Sequence, residues 1–226
     1  ARFFDTEACF LTSHRDYTSW LAHVNGMPVL VMSTGMGGPC VTFAVEELAR
    51  LGVETFIRVG TTGSIQESIH LGDVIINKAS VRMDGASKNY APVEYPGIAD
   101  LETTMELKQA AAELGISCHM GISVSTDSFW PGQERYDNFG GYVLRRLQGS
   151  MDEFRHLGCT NYEIENATLF TVTSVLGLKA SSLCGVVAQR TSGEAVASRD
   201  VYLQAEEKFR KIVRKMLENR SNAGEN

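Results

Sequence analysis

Apolar residues recur along this chain in two rhythms, short unbroken runs and stripes spaced three or four apart. Val29 to Ser33 (Val-Leu-Val-Met-Ser) is an unbroken run, and Asn25-Gly26 just ahead of it is a turn signal. The run therefore reads as a strand leaving a tight hairpin. Val41 to Leu51 changes to helical spacing, with Val41, Ala44, Val45 and Leu48 on one face, Pro39 near its start and Gly52 at its end. Thr55 to Val59 is the next buried strand and runs into Gly60-Thr61-Thr62-Gly63. Gly72-Asp73 opens a strand at Val74 to Ile76, continued through Ala79-Ser80-Val81. Asp100 to Leu114 reads as a helix capped by Asp100 and stopped by Gly115. Ile116 to Ser125 and Ala180 to Gln189 read as strands, Asn161 to Leu176 as a helix, and Val201 to Asn219 as a charged amphipathic helix. Ala1 to Asp5 has the look of the middle of a helix, and the polar tail after Arg220 predicts disorder.

Strand–turn–helix units in this succession predict an α/β fold, with a mixed central β-sheet flanked by helices. No repeat, linker or low-complexity tract divides the chain, so residues 1–226 read as one domain. The main interruption is 128–160. An insertion of that length is functional or disordered, and its aromatics argue against disorder.

Composition removes several classes of function. The chain is 43% hydrophobic, carries a net charge of −6 and has no Lys/Arg-rich block, so a nucleic-acid partner is not expected. No apolar run approaches the ~20 residues of a membrane span, and no membrane partner is expected. Cys9, Cys40, Cys118, Cys159 and Cys184 are scattered, as are the five histidines. Neither set has metal-ligand spacing, so the expectation is free thiols in a reducing, cytoplasmic setting and no metal site.

Chemistry concentrates in four stretches at predicted strand ends, where ligands collect in open α/β sheets. Gly35-Met36-Gly37-Gly38 precedes a helix, and is either a plain turn or an anion-facing one. Arg58 lies inside an apolar strand and needs a counter-charge, either a structural carboxylate or a bound oxyanion such as phosphate. Glu163-Ile164-Glu165 enters a helix, and its carboxylates serve either the helix dipole or two vicinal sugar hydroxyls. Phe129-Trp130-Pro131-Gly132-Gln133-Glu134-Arg135 combines an amide, a guanidinium and aromatic rings. Gln133 and Arg135 together match a flat edge carrying C=O, N–H and C=O, such as that of uracil, while a surface loop with a Glu–Arg pair is the plainer alternative.

Taken in order, these stretches resemble the uridine phosphorylase family of the nucleoside phosphorylase superfamily. Ser13-His14-Arg15, Asp84-Gly85-Ala86-Ser87 and Gly149-Ser150-Met151 add to the likeness, which covers essentially the whole chain. The resemblance implies reversible phosphorolysis of uridine to uracil and ribose 1-phosphate, with deoxyuridine or thymidine as alternative substrates that would release uracil or thymine and the deoxypentose 1-phosphate. It implies phosphate as co-substrate with no cofactor, and a homohexamer built from dimers. Arg58 and Thr61 would hold phosphate, with Arg15 reaching the phosphate of a neighbouring subunit. Glu165 would hold the ribose hydroxyls, supported by Glu163 and Ile164. Gln133 and Arg135 would read the base, with Phe129 against the ring, Thr62 and Gly63 lining the cavity and Arg190 supporting Arg135. Purine-cleaving relatives carry an acid after the late strand, where this chain has Val187-Ala188-Gln189-Arg190. The family also begins with a strand and a Gly-Asp-Pro-x-Arg loop that nothing here matches, so the chain is expected to lack that piece ahead of Ala1. The competing readings are a purine nucleoside phosphorylase or nucleosidase on the same fold, and a nucleoside-binding module without turnover.

Overall fold

The computed structural model describes residues 1–224. A three-stranded antiparallel sheet comes first, formed by β1 (Cys9–His14), β2 (Tyr17–Val24) and β3 (Met27–Ser33). The Asn25-Gly26 turn joins β2 to β3 with both residues at positive φ, 47° and 80°, the geometry a two-residue hairpin needs. Helix α1 (Gly38–Arg50) follows, then β4 (Thr55–Ser64), β5 (Val74–Arg82), β6 (Gly97–Ile98), α2 (Leu101–Glu113) and β7 (Cys118–Ser125). The remainder is α3 (Ser150–His156), β8 (Asn161–Glu163), α4 (Asn166–Val175), β9 (Lys179–Gln189), β10 (Ala195–Val196) and α5 (Arg199–Gly224).

The second sheet has seven strands in the order β10-β9-β4-β8-β7-β5-β6. It is mixed: β4–β9, β5–β7 and β7–β8 are parallel, while β4–β8 is antiparallel. β5 pairs again with β9, antiparallel from Val74↔Gly185 to Asn77↔Ser182, and this closes the central strands into a barrel. Lys78 marks a register shift in β5, which is why that strand reads in two parts. Helices α2 and α5 cover one side, burying Leu107, Leu183, Ile212 and Met216. Each such side chain contributes about 1.5–3 kcal/mol on burial. Helices α1 and α4 cover another side around Val45, Leu169, Phe170 and Val172. They approach closely because Gly38 has no side chain: a Cβ there would lie 2.3 Å from Thr168 Oγ1.

Several expectations are corrected. The predicted helix from Asn161 begins only at Asn166, because 161–163 pair with β4 and β7 as β8. Gly60 to Gly63 lie within β4 rather than beyond its end. Ala1 to Asp5 form a turn, with the Phe4 N–H donating to Ala1 O at 2.8 Å. The terminal helix runs to Gly224, through part of the tail expected to be disordered; Glu225 and Asn226 lie outside the described residues. Asp100 does cap α2, its side chain accepting from Thr103 N at 2.8 Å. The barrel interior is polar. Asn77 Nδ2 donates to Asn161 Oδ1, and Asn161 Nδ2 donates to Thr62 Oγ1, each at 2.8 Å. The stretch 128–160 is ordered, with 3-10 turns at Pro131–Gln133 and Arg145–Leu147 before α3.

Candidate active site

The end of β8 delivers two carboxylates to opposite sides of one turn. Glu163 faces the barrel. Its Oε2 accepts the N–H groups of Glu165 (2.7 Å) and Asn166 (2.6 Å) at the start of α4, and its Oε1 accepts from the Ser125 hydroxyl. Burial pushes its carboxyl above the usual range, the Arg58 charge opposes this, and the Glu165 carboxylate reinforces it. Glu165 turns the other way. Its Oε1 accepts Gly37 N–H at 2.9 Å, and its Oε2 meets the Arg58 guanidinium and, at 3.3 Å, Ile164 N–H. Ile164 is half-buried between the two acids.

Arg58 completes this cluster from β4. Its Nη1 donates to Cys184 Sγ at 3.1 Å on the neighbouring strand. Burial works against its charge, but Cys184, Glu165 and Glu163 outweigh burial and hold its pKa above the ordinary arginine value. The guanidinium folds back over Gly60, two residues along the same strand face, where a Cβ would sit 2.8 Å from Nη2. Both candidate partners named for Arg58 and Glu165 are thus partly answered by each other. The glycine turn 35–38 joins them through Gly37, and Gly35 is packed against Asp16 of the β1–β2 turn.

A second cluster is held by the loop after β7. A 3-10 turn ends at Gln133, and Arg135 N–H returns to Trp130 O at 2.9 Å. Between them Glu134 is left-handed, at φ 53°. That strained residue is fixed by its carboxylate, which accepts the N–H groups of Gly149 and Met151 at the start of α3. With Glu134 turned away, Gln133 and Arg135 both go inward, each only 4% exposed. The Gln133 side chain has no hydrogen-bond partner among the described residues. The Arg135 guanidinium lies 4.0 Å from the Phe129 ring centroid, donates from Nη1 to Glu194, and leaves Nε without an acceptor.

Arg190 stands beside it. Its backbone N–H donates to Ser64 O at 2.9 Å, which fixes it against the end of β4. Burial, and then the neighbouring Arg135 charge, lower its pKa. Gly63 on β4 is the contact point, where a Cβ would meet Arg190 Cδ at 3.7 Å. One strand therefore carries the Arg58 cluster at Gly60 and the Arg190–Arg135 cluster at Gly63, about 10 Å apart along its length.

The remaining candidates fall less centrally. Thr62 is buried in the barrel, where its hydroxyl donates to Tyr162 O at 2.6 Å. Thr61 is half-buried and has no side-chain hydrogen bond among the described residues. Arg15 is exposed on the β1–β2 turn, at φ 53°, without an ion pair among the described residues. Phe129 is 46% exposed, and its face covers a guanidinium rather than standing open. Three contributors went unnoticed in the sequence. Cys184 hides in an apolar strand, Glu134 looks like a surface acid, and Glu194 is signalled only by its four-residue spacing from Arg190.

The profile of the Phosphorylase superfamily matches residues 3–218. The chain is 49% identical over 203 residues to a uridine phosphorylase of Escherichia coli (strain K12), covering 90% of this chain and 80% of that one. It is 50% identical over 204 residues to one from Haemophilus influenzae (90% and 81% covered), and 44% identical over 220 residues to one from Thermococcus kodakarensis (96% and 79% covered). With its mixed barrel sheet, its Arg58–Glu165 pair and this profile match over nearly its whole length, the chain belongs to the phosphorylase superfamily.

Proposed function

We propose that this protein catalyses the reversible phosphorolysis of uridine, giving uracil and ribose 1-phosphate. The observation that carries the reading is the Arg58–Glu165 pair, an anion ligand and a hydroxyl acceptor brought to one point. About 10 Å further along β4, Gly63 meets Arg190, which shares Glu194 with Arg135, and Gln133 and Arg135 are both buried in the loop after β7.

Phosphate draws Arg58 away from Glu165, and the freed carboxylate accepts the 2′ and 3′ hydroxyls of the ribose. Thr61 adds a hydroxyl to the phosphate, and Arg15 comes from a neighbouring subunit. A phosphate oxygen attacks C1′ as the C1′–N1 bond breaks, and that bond's electron pair leaves with the base. The charge builds on the uracil ring and its carbonyl oxygens. N–H donors from Gln133 and Arg135 shorten onto that charge, and one such donor aimed at a developing oxyanion is worth ~3–4 kcal/mol. Fixing phosphate beside C1′ supplies proximity. The departing base takes its proton from water, so the site needs no general acid. The Val187-Ala188-Gln189-Arg190 segment has none, which suits uracil better than a purine. Glu163 and Ile164 hold Glu165 in place, and Thr62, Gly63 and Phe129 shape the base cavity. Phosphate is a co-substrate, no cofactor is used, and the working assembly is a cytoplasmic homohexamer of dimers.

The test follows the release of free base by absorbance (uracil from uridine, hypoxanthine from inosine) against a control with no nucleoside, with and without phosphate. Uracil release that requires phosphate, with inosine inert, is expected. Release at equal rate without phosphate would indicate a hydrolase. No release at any phosphate concentration would leave only a nucleoside-binding module.

A further inference from the structure

Two buried arginines sit beside each other in the base cluster, and one carboxylate serves both. Arg135 is 4% and Arg190 5% exposed, so neither charge is answered by bulk water. Glu194 Oε2 meets Arg135 Nη1 and lies 3.7 Å from Arg190 Nε. No other acidic side chain is ion-paired with either arginine among the described residues. The titratable and charged groups facing the cluster from elsewhere are Glu134, whose carboxylate is taken up at the start of α3, the neutral phenol of Tyr162, and Arg155, which donates to Arg190 O at 2.9 Å and is itself paired with Asp152. Glu194 is held by the β9–β10 hairpin, where Ala195 pairs with Gln189, and its side chain is 31% exposed at the mouth of the cluster.

The pairing leaves a defined remainder. Glu194 occupies Nη1 of Arg135, Phe129 covers the face of the guanidinium, and Nε has no acceptor. Nη2 has no hydrogen-bond partner among the described residues either. A planar fork gripped at one arm and on one face presents its remaining N–H groups in a fixed plane. Without the grip, the two like charges repel and the long side chain recovers its rotamers. The pocket charge also changes, from one net positive charge over the three groups to two.

Resting on the proposed phosphorolysis, we infer that Glu194 is the positioning residue of the base site. It clamps Arg135 against Arg190, so that the free arm of Arg135 meets a base carbonyl oxygen and turns away an exocyclic amino group, which would set donor against donor. The substrate class it selects is therefore the 4-oxo pyrimidine nucleosides.

The experiment compares wild type with Glu194→Gln, Glu194→Asp and Glu194→Ala in steady-state phosphorolysis, with uracil binding measured by calorimetry on the same proteins. Glu194→Gln and Glu194→Ala are expected to lower kcat/KM for uridine by ten- to a hundredfold and to weaken uracil binding about tenfold. The KM for phosphate should stay within twofold, because Arg58 lies in the other cluster. Glu194→Asp should recover part of the loss. A residue that merely stabilised the hairpin would shift phosphate KM and thermal midpoint together with the uridine terms. That pattern, or a Glu194→Gln enzyme within twofold of wild type, would overturn the inference. Wild-type protein that binds uracil without turning over uridine would refute the phosphorolysis alone, and the binding ratio would still judge Glu194. Wild type that neither binds uracil nor turns over would refute both.

Discussion

Replacing Glu165 by glutamine probes the join between the two halves of the Arg58 cluster. The substitution keeps the shape and removes the charge that faces Arg58. Breaking a buried ion pair from one side costs about 3–5 kcal/mol, because the other charge is left behind. Three features of this site reduce that figure. Glu163 remains close enough to favour the Arg58 charge, Cys184 Sγ still accepts from Nη1, and an amide oxygen at 165 can still take the Gly37 N–H. The expected loss is therefore about 2–3 kcal/mol, measured as a lower urea midpoint at unchanged slope. In a chain of this length each kcal/mol corresponds to about 2–4 °C in melting temperature. Phosphate should then separate the two proteins. In wild type the anion must compete with Glu165 for Arg58, whereas in Glu165→Gln it does not. A ligand at a hundred times its Kd stabilises by about 2.7 kcal/mol, so saturating phosphate should recover more stability in the variant than it adds to wild type. Uridine turnover should be lost at the same time, because the ribose hydroxyls lose their acceptor. A variant within about 0.5 kcal/mol of wild type, or equal stabilisation of both by phosphate, would refute the competition on which this reasoning rests.

Gly60→Ala should push the Arg58 guanidinium aside, since the new Cβ would lie 2.8 Å from it; the expected result is a KM for phosphate raised at least tenfold, read in initial-rate assays, with the change for uridine much smaller. Thr171→Val removes a fully buried hydroxyl that has no partner, so urea unfolding should show a gain of about 1 kcal/mol rather than a loss. Glu163 has a carboxyl pKa raised on folding, so between the unfolded and the raised folded value the folded state holds the extra proton. Its contribution to stability must then fall as pH rises upward from about 4.3. The wild-type stability measured against Glu163→Gln should decline over that range, and a rising difference would contradict the assignment.

Much of the fold is legible because its core elements repeat one pattern. α1 and α2 carry clear apolar stripes, α1 with a proline in its first turn and α2 with the Asp100 side-chain cap, and β5, β7 and β9 are largely buried strands, each with a short apolar segment. What escapes has a physical reason in each case. β1 is exposed at every position, so no alternation marks it. β6 and β10 have two residues each, too few for any period. β8 reads as part of the helix after it because it has only three residues, all buried on both faces: Asn161 and Glu163 meet polar partners in the barrel while Tyr162 packs among Ile65, Val124 and Cys159, so no polar–apolar alternation marks a strand. The site shows the same division. Arg58, Gln133, Arg135 and Glu165 are conspicuous as polar groups out of place in their surroundings. Their pairings are not, because Arg58 and Glu165 stand 107 positions apart and Arg135 and Glu194 stand 59 apart. Closure of the barrel through β5 and β9 brings such distant segments together, and no local signal announces it.

The central claim is that the base departs because N–H donors on Gln133 and Arg135 stabilise its growing negative charge. The most direct test measures the penalty of Arg135→Ala on two substrates that differ only in how well the base bears that charge, uridine and 5-fluorouridine. Fluorine withdraws electrons, so the fluorinated base needs less help. The predicted result is a loss of kcat of a hundredfold or more on uridine and a clearly smaller loss on 5-fluorouridine. Equal losses on the two would mean that Arg135 binds the ground state and the leaving charge alike, and would contradict the account.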